Sequence, residues 1–183
     1  MRRLLRFFVY VTLFLLGSGA VNGSIASDDS QFSEYEIKGA FLYKFAKFTD
    51  WPPSCFPDRS APISLCIFGK DPFGDILNSL KGVQVQGRPL IIKYCTQIEA
   101  LKECHVVFIS ASENRRLEEI LAALKGLPIL TIGEVEGFAQ NGGAINFLTK
   151  SKKVQFEVNL EAVRRNGLKI GSQLLVVARI VGR

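Results

Sequence analysis

The chain has 183 residues, 48% of them hydrophobic and 22% charged, which fits one packed domain and excludes wholesale disorder. Its formal net charge is +6, but Arg2, Arg3 and Arg6 crowd the first few positions. Without them the basic excess halves, too mild for a nucleic-acid-binding surface, which carries a concentrated basic patch.

Those arginines precede the apolar run FFVYVTLFLLG, and small residues around Ser18, Ala20, Gly23 and Ala26 follow it. Basic, then apolar, then small is the order of a secretory signal peptide. The apolar run is shorter than the roughly 18 to 20 residues of a membrane span. The expectation is a signal peptide over residues 1–26, cleaved between Ala20 and Ala26, and an exported domain over residues 27–183. Four cysteines, Cys55, Cys66, Cys95 and Cys104, lie in that domain. An even count in an oxidising compartment predicts two disulfides, in any of three connectivities.

The domain opens with a helical stripe of Ile37, Phe41, Phe45 and Phe48, read as core, with Lys38, Lys44 and Lys47 largely off it. Pro52 ends this helix near Asp50 and leaves Trp51 at a corner, half packed and half available. ISLCIFG (63–69) is an apolar strand, after which Asp71 caps a helix that starts at Pro72 and stops at Gly82. LIIKYC (90–95) is the next strand, and Thr96 with Glu99 forms a capping box for a short helix. HVVFIS (105–110) precedes a helix opened by Ser110 and Glu113 and running to about Leu124, and LPILTIG (127–133) is a further strand. This alternation of apolar strands and helices predicts a parallel sheet covered on both faces.

The rhythm then changes. GGAINFLT (142–149) and VQFEVN (154–159) are joined by KSKK, too short for a parallel crossover and suited to an antiparallel hairpin. Asn159 caps a short helix ending at Gly167. SQLLVVARIV puts Leu174, Leu175, Ala178 and Val181 on one face and predicts a C-terminal amphipathic helix.

Few residues point to catalysis. GKDPFG (69–74) stands where a phosphate-binding turn would lie, but no Lys-Ser/Thr follows Gly74, and Asp71 would repel a phosphate. His105, the only histidine, neighbours Cys104, yet adjacent strand residues point to opposite faces and cannot form a nucleophile–base pair. A zinc site lacks its C-x-x-C, and no carboxylate pair stands out by spacing. The sequence makes no case for an enzyme, a metal or a cofactor.

Taken in order, EYEIKGAFLYKFAKFTDWP, LCIFGKDPFGDIL, GRPLIIK, ECHVVFIS, LTIGE, GFAQNGGAINF, VQFEVNLEAV and GLKIGSQLLVVARIV resemble the YfiR family of exported bacterial proteins. The resemblance runs from about Glu34 to Val181. It implies an α/β fold: a Rossmann-like, mostly parallel sheet with helices on both faces, an antiparallel hairpin near the C-terminus, and a protein-binding role without dinucleotides. It further implies a periplasmic repressor that binds the periplasmic domain of an inner-membrane diguanylate cyclase, lowering cyclic di-GMP and biofilm output. An outer-membrane lipoprotein as antagonist and a homodimer also follow from it.

The family's tail pattern places partner contacts at Phe147, Glu157, Asn159, Leu174, Leu175 and Arg179, and Glu157→Arg is expected to weaken binding with the fold intact. Cys66 with Cys104 fits a family-like disulfide, leaving Cys55 with Cys95. The alternative function is a periplasmic small-molecule-sensing module with a pocket at the carboxyl edge of the sheet.

Overall fold

The computed structural model describes residues 32–150 and 153–182; the expected signal peptide lies outside the described residues. The opening helix α1 (Glu34–Lys47) starts at a capping box, in which the Ser33 hydroxyl accepts from the Glu36 amide and the Glu36 carboxylate accepts from the Ser33 amide. It ends at Lys47, earlier than the expected stop near Asp50, with Phe48 as its C-cap, and the chain passes into a two-residue strand β1 (Thr49–Asp50).

The strands that follow are β2 (Ile63–Phe68), β3 (Gln84–Val85), β4 (Arg88–Cys95), β5 (Val106–Ile109), β6 (Leu130–Gly133), β7 (Ile145–Lys150) and β8 (Lys153–Asn159). Short strands β9 (Lys169–Ile170) and β10 (Arg179–Val181) come last. Eight of these form one sheet in the order β10-β8-β7-β6-β5-β2-β4-β3, while β1 pairs with β9 alone. The central strands β4, β2, β5, β6 and β7 run parallel, and β8 folds back antiparallel on β7 as the short link predicts. The mostly parallel α/β architecture expected from the alternation is therefore the one observed.

Both faces of the sheet are buried, which is why its strands read as continuous apolar runs. On one face Ile63, Leu65, Val106, Phe108 and Ile132 pack with Leu42, Phe45 and Ala46 of α1. On the other, Cys66, Phe68, Val107 and Ile109 pack beneath α2 (Ile98–Leu101) and α3 (Leu117–Leu124). The stripe of α1 is turned by about one residue from expectation: Lys38, Leu42, Phe45 and Ala46 are buried, while Ile37, Phe41 and Phe48 are only partly so. Trp51 is 8% exposed and belongs to the core, so it is not the half-available corner residue predicted.

Helix boundaries also differ locally. The segment after Asp71 is a 3-10 helix over Gly74–Leu80, preceded by the Asp71 carboxylate accepting from the Phe73 amide at 2.8 Å. The N-cap of α2 is Gln97 and makes no side-chain bond, so Thr96 and Glu99 do not form a capping box. Ser110 does open its helix, as a 3-10 turn over Ala111–Arg116 that leads into α3.

The largest correction is at the C-terminus. The predicted amphipathic helix is only a four-residue turn of helix, α5 (Ser172–Leu175), and the chain then becomes β10, parallel to β8. Val176, Val177, Ile180 and Val181 are β-branched and favour a strand, and pairing of Arg179, Ile180 and Val181 with Glu157, Val158 and Asn159 outweighs the helical spacing.

Two features explain otherwise odd sequence choices. The fully buried Phe138 ring lies against the backbone of Gly133 and Gly143, where an added Cβ would sit inside its van der Waals radius. Gly142 precedes with φ +99°, a backbone only glycine adopts freely. Lys38 is buried on α1 and forms ion pairs with Glu134 at 2.7 Å and Glu34 at 2.6 Å. Burial alone would lower its pKa, but the hydrogen bonds to Glu134 and Glu34 outweigh it and hold the ammonium above the ordinary lysine value.

Gly143→Ala should lower unfolding stability by about 1 to 3 kcal/mol through overpacking, measured by urea denaturation, with part recovered in Gly143→Ala/Phe138→Leu. Lys38→Met leaves the buried Glu134 carboxylate without its cation and should cost about 3 to 5 kcal/mol in the same assay. Adding Glu134→Gln to it should restore much of that loss.

Candidate functional site

In an open parallel sheet the ligand crevice lies where the strand order reverses, outside the carboxyl ends of the strands. Here that point falls between β2 and β5. The chain leaves β2 through Gly69 at φ +89°, and the space a Cβ would take is filled by the Ser112 hydroxyl and the Glu113 side chain. Ser112 Oγ also accepts from the Lys70 amide at 2.9 Å. Protein atoms occupy the position a bound phosphate would take.

His105, at the opposite, amino-terminal end of the parallel strands, is held structurally. Its Nδ1 accepts from the Ser64 amide at 3.1 Å, its Nε2 faces the Cys55 carbonyl at 3.4 Å, and its ring stacks on Phe56 with centroids 4.6 Å apart. Burial pushes its pKa below the ordinary histidine value, keeping the ring neutral.

The opposite end of the sheet is built differently. The β7–β8 hairpin is in register from Ile145 with Val158 to Lys150 with Lys153. Alternate residues face opposite ways, so Phe147 and Phe156 pack on α1 while Asn146 and Glu157 face the other side. Phe147 is 2% exposed and touches Phe41 and Phe45. Glu157, also buried, accepts from Gln140 Nε2 at 3.3 Å and forms an ion pair with Arg179, its register partner on β10. Asn146, fully buried opposite Glu157, has among the described residues no hydrogen-bond partner for either amide atom.

Asn159 is a hub. Its Oδ1 accepts from the Ala162 amide at 2.9 Å, capping α4 (Leu160–Arg165), and its Nδ2 donates to the Ala139 carbonyl at 2.6 Å. Leu174 is buried in the main core and Leu175 packs half-buried against it.

The six candidate contact residues thus divide. Phe147, Glu157, Asn159 and Leu174 shape the rim from within, Leu175 is intermediate, and Arg179 alone is exposed, with 66% of its side chain accessible. Glu157→Arg does not meet the expectation of an intact fold, because it would bury a cation beside Arg179. The exposed residues that sequence reasoning passed over are Val176 and Val177, at 84% and 65% exposure. The available signal was the β-branched run after Leu175, read instead as a helix face.

Around these valines lies a groove of about 680 Å³, bordered by Glu134, Leu148, Gln155, Val177 and Arg179. Strand β10 has β8 on one side and, among the described residues, no strand on the other. The rim therefore combines exposed apolar side chains, the cations Lys150 and Arg179, the carboxylates Glu134 and Glu136, and an open strand edge.

Cys66, Cys95 and Cys104 gather elsewhere, beneath α2 and α3, while Cys55 packs against the cluster on the α1 face. Cys66 bonds to Cys95, with Cα atoms 6.3 Å apart, in place of the Cys66–Cys104 pairing implied by resemblance. Cys104 and Cys55 are free thiols, so the expected second bridge between Cys55 and Cys95 is replaced as well. Burial raises the pKa of Cys104, with Lys93 and Ser64 acting against it, and burial likewise raises that of Cys55.

Among the described residues no helix is long and apolar enough to cross a membrane. A crystal structure of a conserved domain protein from Vibrio cholerae matches with a TM-score of 0.55 at 9% identity, over 81% of this chain. The match spans 60% of that protein's chain and shows a shared fold. The family model described as YfiR/HmsC-like matches residues 35–179, from the capped first turn of α1 to the first residue of β10. The chain therefore belongs to the YfiR/HmsC-like family.

Proposed function

We propose that this protein is a periplasmic regulator of a diguanylate cyclase system, acting as a binding repressor that docks on the cyclase's periplasmic domain through the β8–β10 rim. Family membership supports the regulatory role in general. The observation that carries the choice of surface is the exposed Val176–Val177 pair beside the open edge of β10. Solvated apolar side chains next to unpaired strand hydrogen-bonding groups suit protein association. Such a role needs no catalytic group, metal or cofactor. Repression would lower cyclic di-GMP and biofilm output.

In this reading Arg179 contributes the charged contact, and Phe147, Glu157, Asn159, Leu174 and Leu175 hold the rim in shape. Assembly as a homodimer and antagonism by an outer-membrane lipoprotein belong to the same proposal, both through competition for an apolar protein-binding surface. For the alternative of a small-molecule-sensing module, the groove to test is one of about 590 Å³ beside α3, bordered by Arg115, Lys125, Asn141 and Arg165.

Val176→Asp/Val177→Asp should weaken binding to the purified periplasmic domain of a diguanylate cyclase at least tenfold by calorimetric titration, with an unchanged melting temperature because both side chains are solvated. Unchanged affinity would remove the rim from the interface. Conversely, Glu157→Arg should lower the melting temperature through its buried charge, so its loss of binding should track unfolding.

A further inference from the structure

The Cys66–Cys95 bond has a third sulfur beside it. The Sγ atoms of Cys66, Cys95 and Cys104 all lie within 4.8 Å of one another. They come from three different elements, Cys66 from the middle of β2, Cys95 from the last position of β4 and Cys104 from the turn before β5. The sheet register fixes their backbones, pairing Phe68 with Cys95 and Leu65 with Val106. Cys66 and Cys104 are buried, whereas Cys95 is partly exposed.

We propose that this trio is a thiol–disulfide relay that presents a reactive thiol at Cys95, making Cys95 a modification site for small soluble disulfides and electrophiles. In the exchange, the Cys104 thiolate forms a bond to Cys66 Sγ as the Cys66–Cys95 bond breaks. The electron pair leaves on Cys95, which takes up the proton that Cys104 gave to solvent. One bond forms and one breaks, so no external oxidant or reductant is consumed.

The consequence is positional. With Cys66 bonded to Cys95, the free thiol is Cys104, only 4% exposed and with its Sγ 3.7 Å from the Ala100 carbonyl. After exchange the buried pair is bonded and the free thiol stands at the end of β4. Burial is the main influence on Cys104 and opposes its thiolate, as does the Glu103 carboxylate, while the Lys93 and Ser64 side chains favour it. The exchange therefore runs slowly near neutral pH and accelerates as pH rises, following the thiolate fraction.

The test is alkylation of the native, unreduced protein with iodoacetamide, followed by acid quench and peptide mapping without reduction. The relay predicts carbamidomethyl Cys95 together with a Cys66–Cys104 bridged peptide, with Cys55 as the internal reference for a free thiol. Cys104→Ser and Cys104→Ala should both abolish labelling at Cys95, with native circular dichroism confirming the fold. Cys95→Ser, with oxidised glutathione supplied as the two-electron acceptor, should form the Cys66–Cys104 bridge. Cys95 remaining unlabelled in the wild type while Cys55 reacts, or labelling of Cys95 that persists without Cys104, would overturn the proposal.

Discussion

The interlock of aromatic rings between α1 and the β7–β8 hairpin is the contact on which the C-terminal half depends. Phe45 meets Phe156 and Phe147 with ring centroids 4.9 and 5.5 Å apart, and Phe41 meets them at 5.2 and 6.3 Å. Each such pair contributes about 0.5 to 1.5 kcal/mol beyond the burial of its area. The opening helix thus spans the sheet face up to the antiparallel hairpin, and the Lys38–Glu134 pair fixes its rotation from the side. The run of phenylalanines and lysines near the start of the domain is core, with one of its lysines neutralised in place.

Once the hairpin is fixed, the edge of the sheet becomes the problem the fold must solve. Strand β8 would otherwise end the sheet, and β10 covers it with only three residues, anchored by the Glu157–Arg179 pair and by Asn159 beneath the last glycine. The pairing moves the open edge outward by one short strand and lifts Val176 and Val177 into solvent on the connection leading to it. A rigid, internally paired support beneath a small apolar crest is the arrangement expected of a preorganised protein-binding surface.

Much of this was legible in the sequence, and for stated reasons. Continuous apolar runs separated by short helices report strands buried on both faces, and KSKK is too short to connect anything but a hairpin. The C-terminal helix was misread because Leu174, Leu175, Ala178 and Val181 satisfy helical spacing by coincidence, while the partner that decides the matter, β8, is distant in sequence. Glu157 was misjudged for a related reason. A glutamate in a strand is ordinarily solvent-facing, and only the register with Arg179 on a strand not foreseen shows its charge to be neutralised inside. The cysteine partners were beyond spacing arguments altogether, since three sulfurs converge on one point and the sequence assigns them no preference.

The central claim is that the partner covers the β8–β10 rim while the carboxyl edge of the sheet stays free. Hydrogen–deuterium exchange of the protein with and without a saturating diguanylate cyclase periplasmic domain tests it most directly. The account predicts new protection confined to residues 172–182 and the adjoining part of β8. Protection centred instead on residues 69–74 and 110–116, with residues 172–182 unchanged, would contradict it.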